Sequence, residues 1–500
     1  MSLCDVLAER VSVRADHPFL LHAGRRVSYG EFDHLSNRAA HAFRSLGARK
    51  GDRVTLALGN SVEYLVAAFG ALKAGAVLHP VNPSLGAAEL GYILTHAEPR
   101  IIVADPASAP AVLSPELARP SSCVVAAFGK APDAEDLDTL LDRSSSAACG
   151  VRLRPEDPST LLYTSGTTGK PKGVLFHHGS TGAAGRHFLE ILGIGAADTI
   201  LAVTPLFHGN AWGAVVTALQ AGGSVAFPKA FRASEFWPLV HESGATVLYT
   251  LGTILAILLE REPSELERHN PLRVILGLGS APIRDRVIER FGVRDVAECF
   301  GSTDAGVVTM TPLGAAPRKG SAGPPVPGVQ IRIVGDDGRE VKTRGVGEIA
   351  IRSPHCMAEY FRDPEQTAEA LRDGWFFTGD LGWVDEDGWL YFVDRKRDVI
   401  RRGGENMSSV LIEKTLCEHP NVAEAAVVGI PDAVLGQEVK AFVVRKGPVT
   451  EGELRAFAAQ RLAKFQVPRL WEFRDSLPKT PTQRVEKYKL RGSANEPPLA

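Results

Sequence analysis

The residues best suited to chemistry lie in YTSGTTGKPKG, Tyr163 to Gly173. Gly166, Gly169 and Gly173 let backbone N–H groups come close to phosphate oxygens. Ser165, Thr167 and Thr168 add hydroxyl donors, and Lys170 and Lys172 add positive charge. These residue types suit a polyphosphate. The stretch is not a Walker A loop, because Gly169-Lys170 is followed by Pro171 where that motif needs Ser or Thr. Nor does it fit GxGxxG. Composition alone leaves a flexible glycine-rich surface loop as the other reading.

The elements that must position this loop follow from the hydrophobic pattern. Leu161-Leu162-Tyr163 would anchor one end of it in a strand. VTLALG (Val54 to Gly59), AVLHPV (Ala76 to Val81) and IIVAD (Ile101 to Asp105) read as further strands. Between the first two, Val62, Leu65, Val66, Phe69 and Leu72 recur at helical spacing, with Asn60 and Glu63 as a capping box. Ala245 to Leu259 reads as a buried strand followed by a helix. This alternation predicts βαβ units with a parallel sheet. Ala107 to Cys149, rich in Ala, Ser and Pro, reads as peripheral connections.

VQIRIV (Val329 to Val334) and GEIAIRS (Gly347 to Ser353) alternate between glycine-rich turns, which predicts a small barrel-like β subdomain. Beyond it AEAAVVGI and EVKAFVV read as strands, and Thr450 with Glu453 caps a helix through Leu462. The expected fold is therefore α/β. A large N-terminal domain of βαβ subdomains and the barrel-like piece spans 1–396, and a small mobile C-terminal α+β domain spans 397–500.

Fifty-six basic residues nearly balance 58 acidic ones, for a formal net charge of -2, so no nucleic-acid footprint is expected. Cys4, Cys123, Cys149, Cys299, Cys356 and Cys417 form no CxxC pair, and free thiols are expected. The N-terminus lacks an apolar signal core, and no stretch reads as a membrane span. A cytoplasmic protein is the expectation.

Tyr163 to Gly173 resembles the phosphate loop of the adenylate-forming superfamily, which includes acyl-CoA synthetases, luciferases and the adenylation domains of peptide synthetases. Other elements follow in that family's order. GSAP (Gly279, Ser280, Ala281, Pro282) resembles its adenine-side turn. FGSTDAG, from Phe300, Gly301 and Ser302 to Gly306, resembles its Y-G-x-T-E element. TGD (Thr378 to Asp380) resembles its ribose carboxylate. The resemblance implies that ATP activates a carboxylate, or another small oxyanion, as an adenylate and that pyrophosphate leaves. Thr164, Ser165, Gly166, Thr167, Thr168, Gly169 and Lys170 would hold the departing phosphates, with Lys172 beside them. Thr303 would contact the α-phosphate, and Phe300 would stack on adenine. Asp380 and Arg395 would hold the ribose. Asp304, in place of the usual Glu, and Thr168 would hold Mg²⁺. His208, Trp212, Thr253, Gly277 and Val307 are the candidates for the acyl pocket. Arg397 takes the hinge position, and Gly403 and Gly404 the CoA tunnel.

The C-terminal loop departs from the family. Its usual P-x-T-x-x-G-K becomes PKTPTQR, so Gln483 and Arg484 replace Gly and Lys. Arg is a rigid fork and Lys a compact point charge, so the exchange is not neutral. Arg484 as the catalytic cation, a neighbouring Lys479 or Lys487 in its place, and a weak or redirected adenylation all remain open. The resemblance to bacterial acyl-CoA ligases implies CoA as acceptor. A carrier-protein thiol or an amine, including nitrite-based diazotisation of an aryl amine, is an alternative. A non-catalytic nucleotide binder is another. A homodimer is compatible with the sequence.

Overall fold

The computed structural model describes residues 1–164, 171–316, 318, 320–396, 398–402, 405–432, 434–479 and 485–493, with backbone alone at 282, 401, 405, 406, 492 and 493. The chain is a mixed α/β protein with a large N-terminal and a small C-terminal domain. By contact it separates into two units, one holding 1–164, 171–330 and 352–376, the other holding 331–351 and the residues from 377 onward.

The first unit is built on two sheets. One runs in the order Glu359–Tyr360, Lys172–His177, Pro158–Thr164, Val77–Pro80, Arg53–Ala57, Ile101–Ala104, Val124–Ala127, Glu135–Asp136. Its centre is parallel, with Val54 opposite both Leu78 and Ile101. Ile101–Ala104 is buried on both faces, as an unbroken apolar run requires when helices cover both sides of a sheet. Lys172–His177 returns antiparallel and brings Thr164 opposite Lys172. Thr164 and Lys172, which flank the glycine-rich stretch in sequence, are thus paired across two antiparallel strands.

The second sheet orders Asp295–Ala297, Val274–Leu278, Val247–Leu251, Thr199–Ala202, Ser224–Ala226, Pro18–His22, Arg25–Ser28. All but its last pairing are parallel. Strand Val247–Leu251 runs straight into helix Gly252–Leu259, the strand-then-helix order expected there. Leu248, Leu255, Leu258, Ile275, Phe291 and their neighbours form the core beneath it.

Two local expectations change. The cap of helix Val62–Lys73 is Ser61, whose side chain accepts from the Tyr64 N–H. Asn60 instead joins the two sheets. Its Oδ1 accepts from the Leu206 N–H at 2.7 Å, and its Nδ2 donates to the carbonyls of Thr204 and Pro228. Two candidate caps stand side by side, and a buried amide with three long-range partners outweighs a local cap. Ala107 to Cys149 is also more regular than its composition suggests. It holds helix Ala109–Leu113, strand Val124–Ala127, the edge strand Glu135–Asp136, and helix Leu137–Arg143.

In the second unit, residues 331–334, 347–351 and 377–384 lie side by side, and 390–395 pairs with 377–384. The C-terminal sheet follows. Val422–Asp432 and Gly436–Arg445 pair antiparallel over their whole length, and Leu470–Arg474 adds in parallel. Helix Glu451–Ala459 starts at a reciprocal Thr450–Glu453 capping box, as read from the sequence, and ends at Ala459 rather than Leu462. Ile412, Leu416, Val427, Val439, Val443 and Leu454 make this domain's core. All six cysteines are free thiols. Among the described residues, no helix is long and apolar enough to cross a membrane.

Candidate nucleotide site

Of the expected phosphate-loop residues, Thr164 and Lys172 are described; Ser165, Gly166, Thr167, Thr168, Gly169 and Lys170 lie outside the described residues. Lys172 begins the return strand, and its ammonium stands 4.9 Å from the centre of the Tyr360 ring. Tyr360 lies on the edge strand, opposite Val174. Its hydroxyl donates to Asp304 Oδ1 at 2.9 Å. One phenol thus links the loop's exit to the candidate metal carboxylate. Burial and the nearby Asp304 charge push the Tyr360 pKa far above its usual value, so it stays a donor. No sequence motif pointed to Tyr360. An aromatic paired with the strand leaving the loop is visible only once the edge strand is placed.

Asp304 sits in the turn of a hairpin, strands Cys299–Ser302 and Gly306–Met310. The turn is tied on its far side by the Met357 N–H, which donates to the Asp304 carbonyl at 2.7 Å. Thr303 is exposed at the tip, and Phe300 lies opposite Thr309. Gly301 cannot be larger, because a methyl there would stand 2.3 Å from the Gly306 carbonyl oxygen.

The Gly279–Ser280–Ala281 turn is held by a residue that the sequence reading passed over. Glu298 Oε1 accepts from the Gly279 N–H at 2.7 Å; Oε2 accepts from the Ser280 and Ala281 N–H groups at 2.8 Å each and from Ser280 Oγ at 3.1 Å. Burial raises the Glu298 pKa, and the three amides pull it back down. The signal was present as a carboxylate within the largely apolar run VAECF, since a buried acid needs dedicated donors. The same turn is pressed from behind by Gly252, where a methyl would stand 2.2 Å from the Gly279 carbonyl oxygen. Pro282 is described by its backbone only, at the start of the short 3₁₀ turn Ala281–Ile283.

Among the acyl-pocket candidates, His208 caps helix Gly209–Ala221 by position without a side-chain bond, and its pKa is lowered to about 4 by burial. It is neutral near pH 7. Trp212 lies one turn on, its ring 6.1 Å from Phe69. Asn210, between them, bonds Thr204 Oγ1 and reaches the Thr250 carbonyl. This ties the helix start to the strand that leads to Thr253. Thr253 is exposed, and Val307 lies opposite Gly301. Where a side chain on Gly277 would stand, Ser280 Oγ and Leu255 already fill the space.

In the second unit, Asp380 and Arg395 lie opposite each other on paired strands, with Arg395 Nε 3.5 Å from Asp380 Oδ1. Asp380 is buried, and its own N–H donates to Thr378 Oγ1. Glu348 braces the turn by accepting from the Gly379 N–H and pairing with Lys396. Arg397, Gly403, Gly404 and Arg484 lie outside the described residues. Lys479 pairs with Glu424 at 2.5 Å. Lys487 is held by Glu413 and Ser409 Oγ, each at 2.7 Å.

Taken together, these elements define a nucleotide-binding enzyme of the adenylate-forming class. Residues 7–361 match the AMP-binding enzyme family, and residues 411–484 match the AMP-binding enzyme C-terminal domain. The chain belongs to that family. It is 34% identical over 505 residues to the sulfoacetate–CoA ligase of Cupriavidus necator, covering 98% of each chain. It is likewise 34% identical over 507 residues to the fatty acid–[acyl-carrier-protein] ligase ScoC of Streptomyces coeruleorubidus, covering 97% of this chain and 96% of that one. Among solved structures, the ATP-bound MatB of Rhodopseudomonas palustris superposes with a TM-score of 0.89 at 28% identity, over 99% of both chains.

Proposed function

We propose that this chain is an ATP-dependent acyl-CoA ligase. A carboxylate oxygen of a small acid attacks the α-phosphorus of ATP, the bond to the bridging oxygen breaks, and pyrophosphate leaves. The CoA thiol, as its thiolate, then attacks the acyl carbon, and AMP departs. Charge gathers on phosphate oxygens in the first step, so positioning and electrostatic stabilisation carry it. The observation that most supports the reading is the linked set Lys172–Tyr360–Asp304, which joins the strand that follows the glycine-rich sequence to an acidic turn.

In this reading 164–170 and Lys172 hold the phosphates, Thr303 meets the α-phosphate, and Arg484 brings the cation. The Glu298-braced turn and Phe300 take adenine, and Asp380 and Arg395 take the ribose. Asp304 suits a hard divalent cation: Tyr360 occupies one carboxylate oxygen, and the other takes no bond among the described residues. With Thr168 it would hold Mg²⁺, which supplies positive charge to neutralise phosphate oxygens. Residues 1–396 form the catalytic body and 397–500 the mobile lid, with Arg397 at the hinge and Gly403 and Gly404 on the thiol path. The free thiols fit a reducing cytoplasm.

A second reading, transfer to a carrier-protein thiol, draws support from the likeness to ScoC. Offering CoA, a carrier protein and an amine separately, with products resolved by mass, decides between acceptors. AMP formation without a CoA thioester would reject the first reading. Absence of any acid-dependent exchange of labelled pyrophosphate into ATP would leave only a nucleotide binder.

A further inference from the structure

Two buried imidazoles in the first unit carry ring nitrogens that find no partner among the described residues. His187, in helix Arg186–Ile191, and His355 have ring centres 5.1 Å apart, with exposures of 7% and 9%. Among the described residues, neither ring nitrogen of His187 has a partner, and neither has Nδ1 of His355. The Ser180 backbone carbonyl acts on the His355 ring and favours its protonated form. With its N–H turned towards that carbonyl, neutral His355 presents Nδ1 as a lone pair. Native interiors rarely leave such groups unmatched.

The pair is enclosed by the elements that carry the acyl-pocket candidates. A methyl on Gly306 would stand 3.2 Å from His355 Cβ, and Val307 is the next residue. Phe188 meets Tyr249 edge-on at 5.6 Å. The following residue, Thr250, also has a buried hydroxyl without a partner. Gly185 lies against Val216 and Thr217, on the helix of Trp212.

We propose that His187 and His355 form the distal polar end of the acyl site, selecting a carboxylic acid that bears a neutral hydrogen-bond donor, a hydroxyl foremost, away from the reacting carboxylate. This rests on the ligase reading above. The vacant positions are one lone pair on His355 and one lone pair and one N–H on neutral His187. A hydroxyl supplies the donor those lone pairs lack and accepts from the N–H. A second anion would bring acceptors only, into a place where burial opposes charge. Burial holds His187 at a pKa of about 4; among the described residues the titratable neighbour acting on it is His355, and no carboxylate, lysine or arginine acts on either ring.

The test compares kcat/KM for acid-dependent pyrophosphate release across matched acids: hexanoate and its terminal hydroxy derivative, benzoate and its para-hydroxy derivative, and adipate. The hydroxy acid of at least one pair is expected to be favoured by about tenfold or more, the scale set by buried groups left unpaired. His187→Leu and His355→Leu should abolish that preference while keeping turnover of the plain acid, and His187→Gln should restore part of it. Equal turnover within both pairs, preference for adipate, or a parallel fall on both members in the variants would overturn the proposal. Nitrogen-15 shifts of the His187 and His355 rings give a readout without turnover. They should move when the favoured hydroxy acid is added and stay fixed with its plain partner. If these shifts move but no acid supports pyrophosphate release, the ligase reading fails and the binding site stands. If release occurs and the shifts never move, the binding site fails alone.

Discussion

Replacing Glu298 tests whether the Gly279–Ala281 turn that it braces serves adenine, apart from the chemistry. The carboxylate collects four hydrogen bonds from three consecutive residues. Bonds to a charged acceptor are worth about 1.5 to 3 kcal/mol each when shielded from water. Those from Gly279 and Ala281 lie at the surface, where water can substitute, so the Ser280 pair carries most of the effect. Glu298→Gln keeps one oxygen and turns an NH₂ towards at least one backbone N–H, replacing attraction with opposed donors. An ordering penalty of about 2 kcal/mol met when ATP binds raises its KM by about thirtyfold. The rate at saturating ATP should stay within a few-fold, because Glu298 braces the turn and does not touch the reacting atoms. Pyrophosphate exchange at varied ATP, with calorimetric ATP titration alongside, measures both quantities. An ATP KM within twofold of wild type in a folded Glu298→Gln protein would refute the assignment of this turn to adenine. A fall in the saturated rate alone would refute the positioning argument.

Gly252→Ala should act on the same turn from behind, raising the ATP KM by about tenfold or more, since its methyl would meet the Gly279 carbonyl oxygen at 2.2 Å. Tyr360→Phe removes the hydroxyl from Asp304 and should change the Mg²⁺ concentration for half-maximal rate by several-fold, read from initial rates over a magnesium series; an unchanged magnesium curve would detach Asp304 from the metal. Arg484→Ala should lower pyrophosphate release by orders of magnitude while ATP still binds by calorimetry, and near-normal release would remove Arg484 from the reaction. Folding stability should fall with acid. His178, His187 and His208 are held at a pKa of about 4 against an ordinary 6.5, so below pH 6.5 the unfolded chain binds protons that the native one refuses. Melting temperature should therefore drop steadily from pH 6.5 towards 4, and less so when His208 is replaced by Leu.

What could be read from the sequence divides along a physical line. The Thr450 cap follows from local pattern because its partner Glu453 lies three residues on, and a strand such as Ile101–Ala104 is legible from its unbroken apolar run although the strands it pairs with are distant. Asp380 and Arg395 were legible as a pair only through the motifs that flank them, and the fold puts them opposite each other on neighbouring strands. Glu298, Tyr360 and the His187–His355 pair escaped because their meaning is long-range. Glu298 matters through a turn 17 to 19 residues away, and Tyr360 through an aspartate 56 residues away. Nothing local distinguishes such residues from ordinary core or edge positions. Asn60 illustrates the same limit in reverse, since its local cap signal was real but three distant partners claimed the side chain.

The exchange of the family's lysine for Arg484 becomes narrower once its neighbours are weighed. Lys487 lies 12% exposed between Glu413 and Ser409. Burial already raises the Glu413 pKa, and Lys487 pulls it back down. Withdrawing Lys487 to serve as the reaction's cation would leave that carboxylate buried and unpaired, at about 3 to 5 kcal/mol. Lys479 is bound more loosely, since its pair with Glu424 is about a third exposed and such pairs are worth at most about 1 kcal/mol. Its backbone, however, is bridged to Val485, and the Glu486 N–H donates to the Pro478 carbonyl at 2.8 Å. Lys479 and Val485 are thus paired with each other, and in the sequence Arg484 is the basic residue between them. A lysine at that bridged position must carry the bridge with it, which weighs against Lys479. The double variant Lys479→Ala, Lys487→Met, which keeps Arg484, should therefore retain pyrophosphate release within about tenfold of wild type. Collapse of release in that folded variant, with Arg484→Ala left active, would move the role to a lysine.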